Sequence, residues 1–156
     1  METCISDYMV ESSIEEFTLA AGVIKLSERF TSVIEIGNLL QEIGSDLLTE
    51  AGFWIWDFKT QECYYSKKFL RLLGFSDTDH IKFDSDLFKQ LMLPESLEKA
   101  MMHTGEKIQA VDRQTFVNAV HYKTVSGNII QFYCSVTILY EDNKASILFG
   151  KHDYGR

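Results

Sequence analysis

The chain has 156 residues, of which 46% are hydrophobic, 13% aromatic and 24% charged, with a net charge of −8. That size suits one domain with its own core, and the apolar content excludes a disordered polymer. Ten acids and two bases fall in the first fifty residues, against thirteen of each in the remainder, so no basic face for DNA or RNA exists in either part.

In chain order, Ser13-Ile14-Glu15-Glu16 fits a capping box, in which the serine accepts a backbone N–H and the glutamate reaches back. Apolar residues at Ile14, Phe17, Ala21 and Ile24 then draw a helical stripe, and a second series follows at Leu26, Phe30, Val33, Gly37, Leu40 and Leu47. The phase breaks after Ile24, so either one staggered helix or two helices meeting near Lys25 are expected. Gly52 suits a left-handed cap at the end of this stretch. Residues 1–50 therefore read as a helical segment with an apolar stripe and an acidic opposite face, serving for dimerisation or to cap a sheet.

Residues 51–156 read as a second unit. Residues 53–58 (Phe-Trp-Ile-Trp-Asp-Phe) form an aromatic strand, residues 59–62 a turn, and Cys63-Tyr64-Tyr65-Ser66 its hairpin partner. Phe69, Leu70, Leu72 and Leu73 place a two-turn helix before Gly74. Loops and short helical turns follow through residue 92, and Pro94 opens a helix to about Lys107, where its missing N–H costs nothing. Residues 115–124, 129–140 and 145–149 alternate as strands, joined by turns at Ser126-Gly127-Asn128 and at residues 141–144. The order predicts an α+β fold: a five-stranded antiparallel curved sheet with short helices, preceded by the helical segment. Along residues 129–140, Ile130, Phe132, Cys134, Val136 and Ile138 share one face, while Tyr133 and Leu139 make the other too apolar to be fully wetted. The N-terminal stripe is the expected cover.

Cys4, Cys63 and Cys134 are odd in number and form no CxxC pair, which argues against a disulfide scaffold or structural zinc. The opening residues lack a basic leader, and no apolar run approaches the roughly 20 residues of a membrane span. A cytoplasmic protein is expected.

The series Gly52-Phe53-Trp54-Ile55-Trp56-Asp57-Phe58, Tyr65-Ser66, Phe69-Leu70-Arg71-Leu72-Leu73-Gly74-Phe75, Pro94-Glu95, Ser126-Gly127-Asn128 and Phe149-Gly150 with Asp153 resembles the PAS sensory-domain family, in particular its subgroup with a Trp-x-Trp-Asp first strand. The resemblance covers residues 51–154. It implies a sheet whose inner face encloses a pocket for a cofactor, a metabolite or nothing, and a role in signal transduction through dimerisation by flanking helices. The family's His-Pro-x-Asp is here Met92-Leu93-Pro94-Glu95, and its closing Asp-Ile-Thr is Asp153-Tyr154-Gly155. No effector domain follows, so an excised sensor or a stand-alone module is expected.

The Asn-Cys-Arg-Phe-Leu-Gln run of photoreactive flavin domains is absent. His103 lies on the helix that would face a haem, although a lone helical histidine is more often exposed or hydrogen-bonded. His121 and His152 lack a third metal ligand. Asp57, Asp112 and His121 could form a small pocket enzyme of isomerase-like type, but no motif supports one, and Asp57 reads better as an acceptor of turn N–H groups. The expected function is therefore a non-enzymatic sensor biased by a small apolar ligand or by a partner surface, its cofactor unspecified. Trp54, Trp56, Phe69, Leu73, Phe88 and Phe132 would line its pocket. A homodimer through Phe30, Val33 and Leu40 is expected, and a ligand-free dimerisation scaffold is the alternative.

Overall fold

The computed structural model describes residues 15–154, with side chains from residue 21 onward. The capping box at residues 13–16, the stripe positions Ile14 and Phe17, and Cys4 lie outside the described residues and side chains.

Among the described residues two helices come first, α1 (Glu15–Ser27) and α2 (Val33–Glu42). They part at residues 28–32, later than the expected break near Lys25. The Arg29 and Phe30 amides close on the Leu26 carbonyl, and Ser32 restarts the chain as N-cap, its Oγ accepting from the Ile34 amide at 3.2 Å. The left-handed residue that ends α2 is Gly44 (φ +85°), followed by a 3₁₀ turn at Ser45–Leu48. Gly52 also has positive φ but leads into a strand. A Cβ there would lie 2.6 Å from the Phe69 Cβ and the Ser66 Oγ.

The sheet comprises β1 (Phe53–Asp57), β2 (Cys63–Tyr65), β3 (Phe116–Lys123), β4 (Ile129–Glu141) and β5 (Lys144–Asp153). Between β2 and β3 run α3 (Lys67–Leu72), α4 (Asp86–Leu91) and α5 (Pro94–Gln109). All neighbouring strands are antiparallel, in the order β2-β1-β5-β4-β3. The last strand is thus the central one. It runs four residues past the expected end at Phe149, because β1 and β4 both pair with that extension (Phe53 with Lys151, Tyr133 with Asp153). Gly150, within this extension, is the floor under an indole: a Cβ there would sit 2.2 Å from Trp54 Cε2.

Strand alternation divides the core in two. On the outer face, Val23, Leu26, Val33, Ile36 and Leu40 pack over Phe53, Ile55, Tyr64 and Phe149. Gly37 lets α2 approach closely, since a Cβ would lie 2.1 Å from the Tyr64 ring. The helical stripe therefore covers the sheet, with a corrected phase: Ile24 and Leu47 are 43% and 83% exposed and stand outside it. The expected dimer contacts change too. Val33 and Leu40 are fully buried within the chain, leaving only Phe30 of the three with exposed surface, because their faces are already spent on the sheet.

Candidate functional site

The inner face of the sheet carries Trp54 and Trp56 from β1, Leu148 from β5, Cys134 and Val136 from β4, and Val120 and Tyr122 from β3. Facing them are Phe88 of α4, Met92 at its C-cap, and Leu97, Ala100 and Ile108 of α5. The two layers leave a cavity of about 310 Å³ between them, at the lower end of ligand-binding volumes. Its mouth is rimmed by Phe58 and Gln61 of the β1–β2 turn, Lys89 of α4, and Met101 and Gly105 of α5.

The aromatic wall is held by edge-to-face and tilted ring contacts. Phe88 stands 5.3 Å from Trp54 and 6.0 Å from Trp56, and the two indoles are 6.4 Å apart. The buried polar groups here are neutral. Asn118 faces inward from β3, its Oδ1 2.6 Å from His103 Nδ1 and its amide donating to Thr104 Oγ1 at 3.4 Å. Ser85 Oγ donates to Gln61 Oε1 at 3.0 Å. Burial pushes the Cys134 thiol up to about 12, against a smaller opposing pull from the Trp54 indole N–H.

Of the six residues expected in the pocket, Trp54, Trp56 and Phe88 line the cavity. Phe69, Leu73 and Phe132 do not; they fill the core behind its far end. There His152 of β5, fully buried, stacks on Phe69 with centroids 4.4 Å apart and planes at 13°, and lies 5.3 Å from Phe132. Its Nε2 is 3.3 Å from the Tyr122 hydroxyl, and its Nδ1 finds no partner among the described residues. Burial lowers its pKa to about 3, so the ring is neutral. The residues that sequence reasoning missed had a readable signal. Leu97, Ala100, Thr104 and Ile108 recur at helical spacing along α5, and Asn118, Val120 and Tyr122 alternate along β3.

The other candidates stand apart. His103 is engaged by Asn118 and packs 5.0 Å edge-on to Phe116, outside the cavity lining. His121 alternates with the inward Tyr122, so it occupies the opposite sheet face from His152. Asp57 Oδ1 accepts from the amides of Lys59 (2.9 Å) and Thr60 (3.2 Å), fixing the hairpin turn. Asp112 accepts from the Gln114 amide and meets Lys107 at 3.3 Å in the loop before β3. Asp57, Asp112 and His121 thus hold separate positions. Among the described residues no three His, Cys, Asp or Glu side chains could hold a metal ion, and no helix is long and apolar enough to cross a membrane.

No protein-family model and no curated protein matches the chain. Solved structures do. A sensory box histidine kinase/response regulator from Burkholderia thailandensis is 17% identical, with 65% of this chain and 74% of that one covered and a TM-score of 0.56. The PAS domain of a Colwellia psychrerythraea protein is 13% identical, over 75% and 96% of the two chains, at 0.56. The N-terminal domain of a diguanylate cyclase with PAS/PAC sensor from Marinobacter aquaeolei is 14% identical, over 66% and 93%, at 0.55. At these identities the likeness speaks for the architecture, and that architecture, a five-stranded antiparallel sheet cupped around short helices, is PAS-like.

Proposed function

We propose that this chain is a non-enzymatic, cytoplasmic PAS-type sensor of the Trp-x-Trp-Asp subgroup that binds a small apolar ligand and relays its presence to the N-terminal helices. The observation that carries this reading is the open-mouthed cavity, walled by Trp54, Trp56 and Phe88, on the reverse of the sheet that α1 and α2 cover. Tyr122 lines the cavity, and its hydroxyl meets His152. The His152 backbone holds both sides of the link into β1: the Ala51 amide donates to its carbonyl at 3.1 Å, and its own amide donates to the Gly52 carbonyl at 2.9 Å. A ligand that moves Tyr122 therefore pulls on the joint between helices and sheet. Signalling requires only that it bind the two arrangements with different affinity.

The chain contains two tryptophans, Trp54 and Trp56, and both line the cavity, so intrinsic fluorescence reports its occupancy directly. Titration with small aromatic compounds should shift or quench this emission, and hydrogen exchange at saturation should change in residues 21–42. Gly105→Phe, which places a ring over the mouth where a Cβ meets nothing within 4 Å, should abolish the response without unfolding the protein. A silent fluorescence titration across a broad panel, or exchange that changes only around the cavity, would refute the proposal.

A further inference from the structure

The charge pattern of the cavity identifies the class of ligand, on the premise that the cavity is a ligand site. The chain has 23 acids and 15 bases, yet among the described residues the lining of this cavity includes one base, Lys89, and no acid. Lys89 is exposed at the mouth, and its companion on α4, Asp86, is a loose partner at 3.9 Å. The interior beyond it carries no charged side chain among the described residues; its buried amide, Asn118, is already engaged by His103 and Thr104, and the buried Trp56 indole N–H has no partner there. A charge carried deep inside would lose its hydration without gaining a counter-ion, whereas a negative charge left at the rim keeps water on one side and a cation on the other. A positive charge at the rim would meet Lys89 unfavourably. The long aromatic wall favours a ring on the end that enters first.

We propose that the cavity takes a small ring-bearing monocarboxylic acid, its ring against Trp54, Trp56 and Phe88 and its carboxylate at the mouth beside Lys89. Gly105 bears on this orientation. It sits within α5 at the mouth, where glycine weakens a helix relative to alanine, and open space in front of it leaves room for the carboxylate.

The test uses matched compounds on one skeleton, read by fluorescence of the full chain: 3-phenylpropanoate, 3-phenylpropan-1-ol and 3-phenylpropylammonium, with the corresponding naphthyl and cyclohexyl sets. The acid should bind tightest and the ammonium weakest. An exposed ion pair supplies about a two- to fivefold preference for acid over alcohol. Lys89→Gln should bring that ratio close to one, and added salt should reduce it in the wild type. An alcohol or ammonium that binds as well as the acid, or a ratio indifferent to Lys89→Gln, overturns the assignment of the acid while leaving the cavity a ligand site. Failure of all three sets to bind overturns the assignment together with the sensor reading beneath it.

Discussion

Truncating Leu40 to alanine measures whether the N-terminal helices are part of the folded unit or an appendage to it. Leu40 is fully buried between α2 and the outer face of the sheet, among Phe53, Tyr64 and Phe149. The substitution removes three carbons, worth about 2.4 kcal/mol at about 0.8 per methylene. The void under a helix pinned by the Gly37–Tyr64 contact adds to that, for a total of about 3–4 kcal/mol. Against a domain stability of about 5–15 kcal/mol this is a large fraction. Urea unfolding followed by circular dichroism should show a lower midpoint with an unchanged slope, identical at two protein concentrations tenfold apart. Leu47→Ala is the control, since Leu47 is exposed and its loss should stay within about 0.5 kcal/mol. A Leu40 loss below about 1 kcal/mol would show that the helices do not share the sheet's core. A midpoint that moves with concentration would place Leu40 in a contact between copies instead.

Two further outcomes follow from buried groups. His152 titrates near 3 in the fold against an ordinary value of 6.5, so the unfolded chain binds the extra proton between those limits. Its contribution is complete above about pH 6.5 and is lost as the pH falls, at about 1.4 kcal/mol per unit. Unfolding free energies should be nearly level above pH 6.5 and approach this slope between pH 6 and pH 5, and His152→Leu should flatten it whatever its effect at pH 7; an equal slope in the variant would refute the assignment. Cys63 and Cys134 are buried with thiols pushed upward by desolvation. Both should resist iodoacetamide in the native protein at pH 8 and react once it is unfolded, as mapped by peptide mass, and rapid native labelling at either position would contradict the packing.

The pattern along each strand was legible because alternation is a local property of extended backbone. Trp54 and Trp56 had to share a face, as did Phe132, Cys134 and Val136, whatever they met there. The hairpin at Gly127 and the helix opened by Pro94 were equally local, set by a positive φ of 96° and by a ring that needs no N–H. The covering of the outer face could be inferred only in part: Leu139 packs against the cluster under the helices, while Tyr133 stays exposed beyond their reach. The helical phase could not. Val23 and Ile24 are adjacent and both apolar, and only contact with the sheet selects Val23 for the interior.

The sequence by itself determined the element order, the antiparallel pairing of neighbouring hairpins and which side chains stand on the same face, because each depends on residues a few positions apart. Tertiary structure alone decided that β5 is the central strand, and that Phe69, Leu73 and Phe132 close one end of the inner face while Trp54, Trp56 and Phe88 border open space. A cavity is where two layers fail to meet. Its position depends on the bend of the sheet and on where α4 and α5 come to rest above it, distances set by the whole chain together.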